Sequence, residues 1–146
     1  MININRILND HRLMRAVTGL SIAGFISLSD KFLQVFQESK QEEYHKALSL
    51  GTRRRALGGG AKGRLRTISL KLLFVLMYFK CYPTMDLMGL FFDLDRSNVK
   101  RNLDNLTPIL EMTLGYTLSL PKRRILYLRG VLRDNSRGKG SIYRWD

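Results

Sequence analysis

The chain has 146 residues and 45% hydrophobic content, enough to bury one core of ordinary domain size but not two. Its 25 Lys and Arg against 12 Asp and Glu leave a formal charge of +13 and a pI near 10.4, a field that gathers phosphate-bearing partners and leaves nucleic acid or an anionic membrane face as the leading classes. The longest apolar run, residues 72–79, has 8 residues where a bilayer span takes about 20, and a single cysteine excludes an internal disulfide.

In chain order, Ile4, Ile7, Leu8, Met14 and Val17 recur at helical spacing and Gly19 follows where a helix stops, which predicts a first helix. This opening mixes Asn, Arg, Asp and His among its apolar residues and lacks the apolar stretch of a secretory signal, so a cytoplasmic protein is expected. From Ser21 the pattern resumes with Ile22, Phe25 and Ile26, then Phe32, Leu33, Val35 and Phe36. It reads as a short helix and a longer one capped by Ser29 or Asp30. Residues 37–46 are polar and expected to be solvated.

Residues 53–66 carry six basic side chains, Arg53, Arg54, Arg55, Lys62, Arg64 and Arg66, with no acidic one and four glycines. A regular helix is disfavoured there, because each Gly costs about 1 kcal/mol relative to Ala. The glycines do not match G-x-x-x-x-G-K-[ST], since Gly63 and Arg64 follow Lys62, so no nucleotide-cradling loop is expected.

Thr67 is placed to cap the most apolar helix, with Leu70, Leu73, Phe74, Met77, Tyr78 and Cys81 on one face and Cys81 expected to be buried. Pro83 ends it and Thr84 caps the next helix, about 85–92. Asp95 then suits capping of a last helix through the backbone N–H of Asn98. That helix carries Val99, Leu103, Leu106, Ile109 and Leu110, reaches to Gly115, and is expected to kink at Pro108. Residues 116–120 hold the one weak strand pattern, and residues 122–146 have eight basic and two acidic side chains with little periodicity.

The expected fold is therefore all-α, with N-terminal helices over 1–50, a basic glycine-rich linker over 51–66, a helix-turn-helix region over 67–121 forming one compact domain with 1–50, and a basic tail over 122–146, expected to be poorly ordered. In a helix-turn-helix the first helix braces on the core and the start of the second enters the major groove. The second helix here opens with Arg96, Ser97, Asn98, Lys100, Arg101 and Asn102 around the apolar Val99 and Leu103. Arg pairs with guanine and Asn with adenine through two hydrogen bonds each, so Arg96, Asn98 and Arg101 are the expected base readers, and Ser97 and Lys100 the expected phosphate contacts. The cations of residues 53–66 would supply salt-sensitive affinity along phosphates or in a minor groove. His11 and His45 lie far apart, no Cys/His metal spacing exists and the carboxylates are scattered, so no cofactor, metal or catalytic constellation is expected.

The strings Tyr78-Phe79-Lys80-Cys81-Tyr82-Pro83-Thr84, Asp86-Leu87 and Phe92-Asp93-Leu94-Asp95-Arg96-Ser97, with residues 118–125, resemble the amino-terminal region of insertion-sequence transposases of the DDE superfamily. The opening Asn3-Ile4-Asn5-Arg6 and Arg15-Ala16-Val17-Thr18-Gly19 look like the start of the same proteins, so the resemblance covers about residues 1–125. It implies a helix-turn-helix that recognises the ends of the element, followed in the family by an RNase H-like domain with three metal-binding carboxylates. Residues 126–146 show no strand bearing a first catalytic aspartate, so Asp134 and Asp146 receive no catalytic role and the chain is expected not to be an enzyme by itself. Related sequences tend to have a glycine near Asp93.

The implied function is sequence-specific binding of double-stranded DNA at terminal inverted repeats, alone or fused by frameshifting to the catalytic half of the transposase. A homodimer stays open as a further partner, and no membrane is expected. The alternatives are a truncated or frameshifted product without a role, and a basic protein that binds membranes or an acidic partner through its tail.

Overall fold

The computed structural model describes residues 2–52, 55–58 and 62–115, and among these it contains six helices and no strand. The all-α expectation holds. Arg53, Arg54, the strand pattern at 116–120 and the tail over 122–146 lie outside the described residues.

The single opening helix expected from the apolar spacing is instead two, α1 (Ile4–Leu8) and α2 (His11–Thr18). Asp10 makes the break, because its carboxylate accepts the Arg12 and Leu13 N–H groups at 2.9 and 3.1 Å and starts a new helix. Gly19 ends α2 in the left-handed region at φ 79°, where a side chain would be strained.

Ser21 caps α3 (Ile22–Ser49) by accepting the Gly24 N–H at 3.1 Å. The break expected at Ser29 or Asp30 does not occur: α3 is one helix of 28 residues, about 42 Å long. Its buried residues Phe25, Leu28, Phe32 and Val35 step by three, four and three, a phase that stays unbroken past Ser29 and Asp30. Tertiary contact along that stripe outweighs the capping preference of two polar residues. Most of residues 37–46 are exposed, as expected, although they remain helical.

Thr67 caps α4 (Ile68–Cys81) through the Leu70 N–H, and Tyr82 closes it in the left-handed region just before Pro83. Every residue from Leu72 to Met77 is buried, so α4 is the central rod, touched by α2, α3, α5 and α6. Cys81 is exposed, against the expectation of burial. It shares a face with Phe74 but lies at the last residue of the helix, past the end of the core, where its Sγ stands 3.6 and 3.7 Å from the carbonyls of Ala16 and Val17.

Thr84 caps α5 (Met85–Phe92), and after Asp93, Leu94 and Asp95 the chain enters α6 (Arg96–Gly115), with Pro108 inside the helix. α5 buries Met88 and Phe92, and Phe92 meets Phe74 of α4 edge to face at 4.9 Å. α6 buries Val99, Leu103, Leu106, Ile109 and Leu110 against α3, α4 and α5. The chain's start is tied to this end of the molecule by a 2.6 Å bond from the Ile2 N–H to the Phe91 carbonyl.

Among the described residues no single helix is long and apolar enough to cross a membrane. α2 and α3 together pass on length and composition, but they meet at 53° and turn Met14, Phe25, Leu28 and Phe32 into the shared core.

Candidate nucleic-acid interface

Close approach at one point sets the α5–α6 corner. A Cβ on Gly89 would lie 2.4 Å from the Leu94 carbonyl oxygen and 3.9 Å from Val99 Cγ2, so only glycine lets α5 lie this near the turn. The Gly89 carbonyl in turn accepts the N–H groups of Asp93 and Leu94, the latter at 2.9 Å. Asp93 takes the left-handed conformation, φ 54° and ψ 55°, which Asp adopts more readily than most side chains but less readily than Gly. The sequence contained a signal for Gly89 in its cost inside an apolar helix, which only a packing need offsets.

Asp95 opens α6, its carbonyl accepting the Val99 N–H at 2.8 Å. Its carboxylate accepts the side-chain amide of Asn98 at 3.4 Å, where the sequence suggested the Asn98 backbone N–H.

Helical periodicity of about 100° per residue sorts the polar residues of α6 into three rows around the buried stripe. Opposite the core, Ser97 and Arg101 form an exposed crest. On the flank beside α5 stand Arg96 and Lys100, both exposed. The Arg96 guanidinium is 4.0 Å from Asp86 of α5, and the Lys100 ammonium is 3.2 Å from Asp104. These exposed pairs cost little to open. On the other flank Asn98 and Asn102 are half-buried, and the Asn102 amide donates to the Asn98 carbonyl at 2.8 Å.

That second flank forms one wall of a cleft of about 410 Å³, the other wall being residues 62–65, with Lys71 of α4 and Leu94 also lining it. The basic segment is held here by Leu65, which is buried, and by Lys71, whose ammonium donates to the Leu65 carbonyl and stands 5.5 Å from the Phe36 ring centroid. Burial, and then the charge of Lys40, pull the Lys71 pKa below the usual lysine value. Arg64 reaches across to Asp93 with an Nη1–Oδ2 distance of 3.2 Å.

The structure thus brings Lys62 and Arg64 beside the start of α6, with Arg66 exposed next to them, while Arg55 is exposed within residues 55–58. Arg53 and Arg54 lie outside the described residues. Lys71 was not singled out in the sequence, although a lysine set directly between Leu70 and Leu72 in the apolar α4 marks a side chain with a specific partner. Among the described residues no three His, Cys, Asp or Glu side chains come together to hold a metal ion.

Two helices meeting at a tight corner, the first braced on a core helix and the second offering an exposed cationic face, define a helix-turn-helix, a fold whose class binds DNA. Residues 63–115, from the cleft-lining segment to the end of α6, match the family model described as the helix-turn-helix of DDE superfamily endonuclease. This agrees with the resemblance to the amino-terminal region of DDE transposases drawn from the residues. No curated protein and no solved structure matches the chain.

Proposed function

We propose that this protein binds double-stranded DNA sequence-specifically, recognising the terminal inverted repeats of an insertion sequence as the amino-terminal part of a transposase. The observation that carries the reading is the α6 crest: Ser97 and Arg101 exposed opposite the Val99, Leu103 and Leu106 stripe, with Arg96 and Lys100 on one side and the basic cleft on the other. A rigid helix with this section fits the major groove, where the crest side chains Ser97 and Arg101 meet base edges and the flank cations meet the two phosphate rows, a reading that exchanges the roles expected of Arg96 and Ser97 from the sequence. Arg101 is the central base reader in this arrangement. Asn98, half-buried and engaged with Asp95, faces the cleft and reaches a base only by giving up that bond. Strand cleavage and joining belong to carboxylates outside the described residues.

Fluorescence anisotropy with an element-end duplex and a scrambled duplex, each at two salt concentrations, tests this. Arg101→Ala lowers affinity for the element end by about 1–3 kcal/mol, roughly 5- to 140-fold, and leaves the scrambled duplex nearly unchanged. Equal retention of both duplexes by the unaltered protein removes sequence-specific recognition.

A further inference from the structure

The cleft beside α6 carries an inference that rests on the DNA-binding reading and makes it more specific. Its volume of about 410 Å³ lies within the range of ligand clefts, about 300–1,000 Å³. Lys62 and Arg64 line one wall and the side chains of Asn98 and Asn102 the other. Among the described residues no carboxylate lines the cleft, and at its corner Asp93 holds Arg64 and Asp95 holds the Asn98 amide. Both members of the Arg64–Asp93 pair remain more than half exposed, so the bond exchanges readily with an incoming anion.

We propose that this cleft seats one phosphate diester of the DNA backbone, and that Asp93 acts as its stand-in: the carboxylate occupies the Arg64 guanidinium in the free protein and gives it up to the phosphate on binding. Guanidinium suits both partners, since carboxylate and phosphate offer it paired oxygens of similar geometry. The exchange explains an acidic residue at a corner that faces a polyanion. With Asp93 in place, the basic segment is held against the helix-turn-helix before DNA arrives, at the cost of some affinity.

The test is a double-mutant cycle read by duplex binding across a salt series. Arg64→Gln weakens element-end and scrambled duplexes alike and lowers the salt slope by about one unit, as the loss of one phosphate contact does. Asp93→Asn, which keeps a side chain tolerant of the left-handed corner, strengthens both duplexes by up to about 5-fold, the size of an exposed ion pair. In the double variant Asp93→Asn brings no gain, because the arginine it would release is gone. A neutral methylphosphonate scanned along the duplex identifies the phosphate: the unaltered protein loses affinity at one position, and Arg64→Gln is indifferent there. Additive effects in the cycle, or a scan in which Arg64→Gln loses affinity like the unaltered protein, overturn the proposal while leaving base reading by Arg101 intact. Failure to bind either duplex overturns both. A scan in which no methylphosphonate position weakens the unaltered protein, while inorganic phosphate binds it without duplex and Arg64→Gln removes that binding, assigns the cleft to a free anion and overturns the diester assignment. Circular dichroism of each variant confirms that its helices are kept.

Discussion

α4 and α6 are both helices with apolar cores, and they differ in how much of their circumference the rest of the molecule covers. α4 is buried on every side from Leu72 to Met77, so its side chains have no task but packing. α6 is covered along one stripe and leaves a crest and two flanks in solvent. A helix enclosed by its own protein supplies stability, while one enclosed on a single side keeps a surface for a partner. The Lys71 side chain links the two regions, leaving α4 to fix the segment that forms the outer wall beside α6.

Substitution on the two helices breaks this contrast in different ways. Phe74→Ala, which removes a fully buried ring packed on Phe92, costs about 3–5 kcal/mol of folding stability in urea unfolding, and DNA binding falls only as the folded fraction falls. Gly89→Ala, at the corner between α5 and α6, forces a methyl against the Leu94 carbonyl and costs about 1–3 kcal/mol. Unlike Phe74→Ala, it weakens DNA binding even in the folded molecule, because α6 must tilt to relieve the contact. If Gly89→Ala left binding by folded protein untouched, the corner would have no part in aiming α6.

Arg101→Ala sits at the opposite pole: its effect on stability is expected within about 0.5 kcal/mol, with the whole loss appearing in discrimination between duplexes. A comparable loss of stability would show that the crest is part of the packed structure. Smallest is the expected effect of pH at the start of α2. The Leu13 N–H lowers the Asp10 carboxyl most; desolvation, the next largest effect, opposes it, and the Arg12 N–H with the Arg12 and Arg6 charges keeps the group below the ordinary aspartate value near 3.8. A carboxyl lowered on folding stabilises the protein above its unfolded value, and that contribution is lost as pH falls through the lower folded value. The protection of the Arg12 and Leu13 amides, taken relative to the intrinsic exchange rate at each pH, should therefore fall below pH 3.8, and Asp10→Ala should abolish that dependence while leaving DNA binding at neutral pH unchanged.

Much of this architecture was legible in the residues. Thr67 and Thr84 act as caps where a hydroxyl precedes an apolar helix, Pro83 marks a stop, and the helix-turn-helix takes its expected bounds at α5 and the start of α6. Capping, helical period and proline geometry all operate within a few residues of sequence. The Asp10 break was equally local, but the apolar spacing that runs across it masked the cap.

Contacts between distant segments decided the rest. α3 runs unbroken because its stripe meets α4 and α6, which no local preference of Ser29 or Asp30 encodes. Cys81 is exposed because the core ends before the helix does. The grouping of Lys62, Arg64, Lys71, Asn98 and Asn102, and the Arg64–Asp93 pair across it, joins residues up to 40 positions apart, so their shared chemistry exists only once the core has fixed where each helix lies.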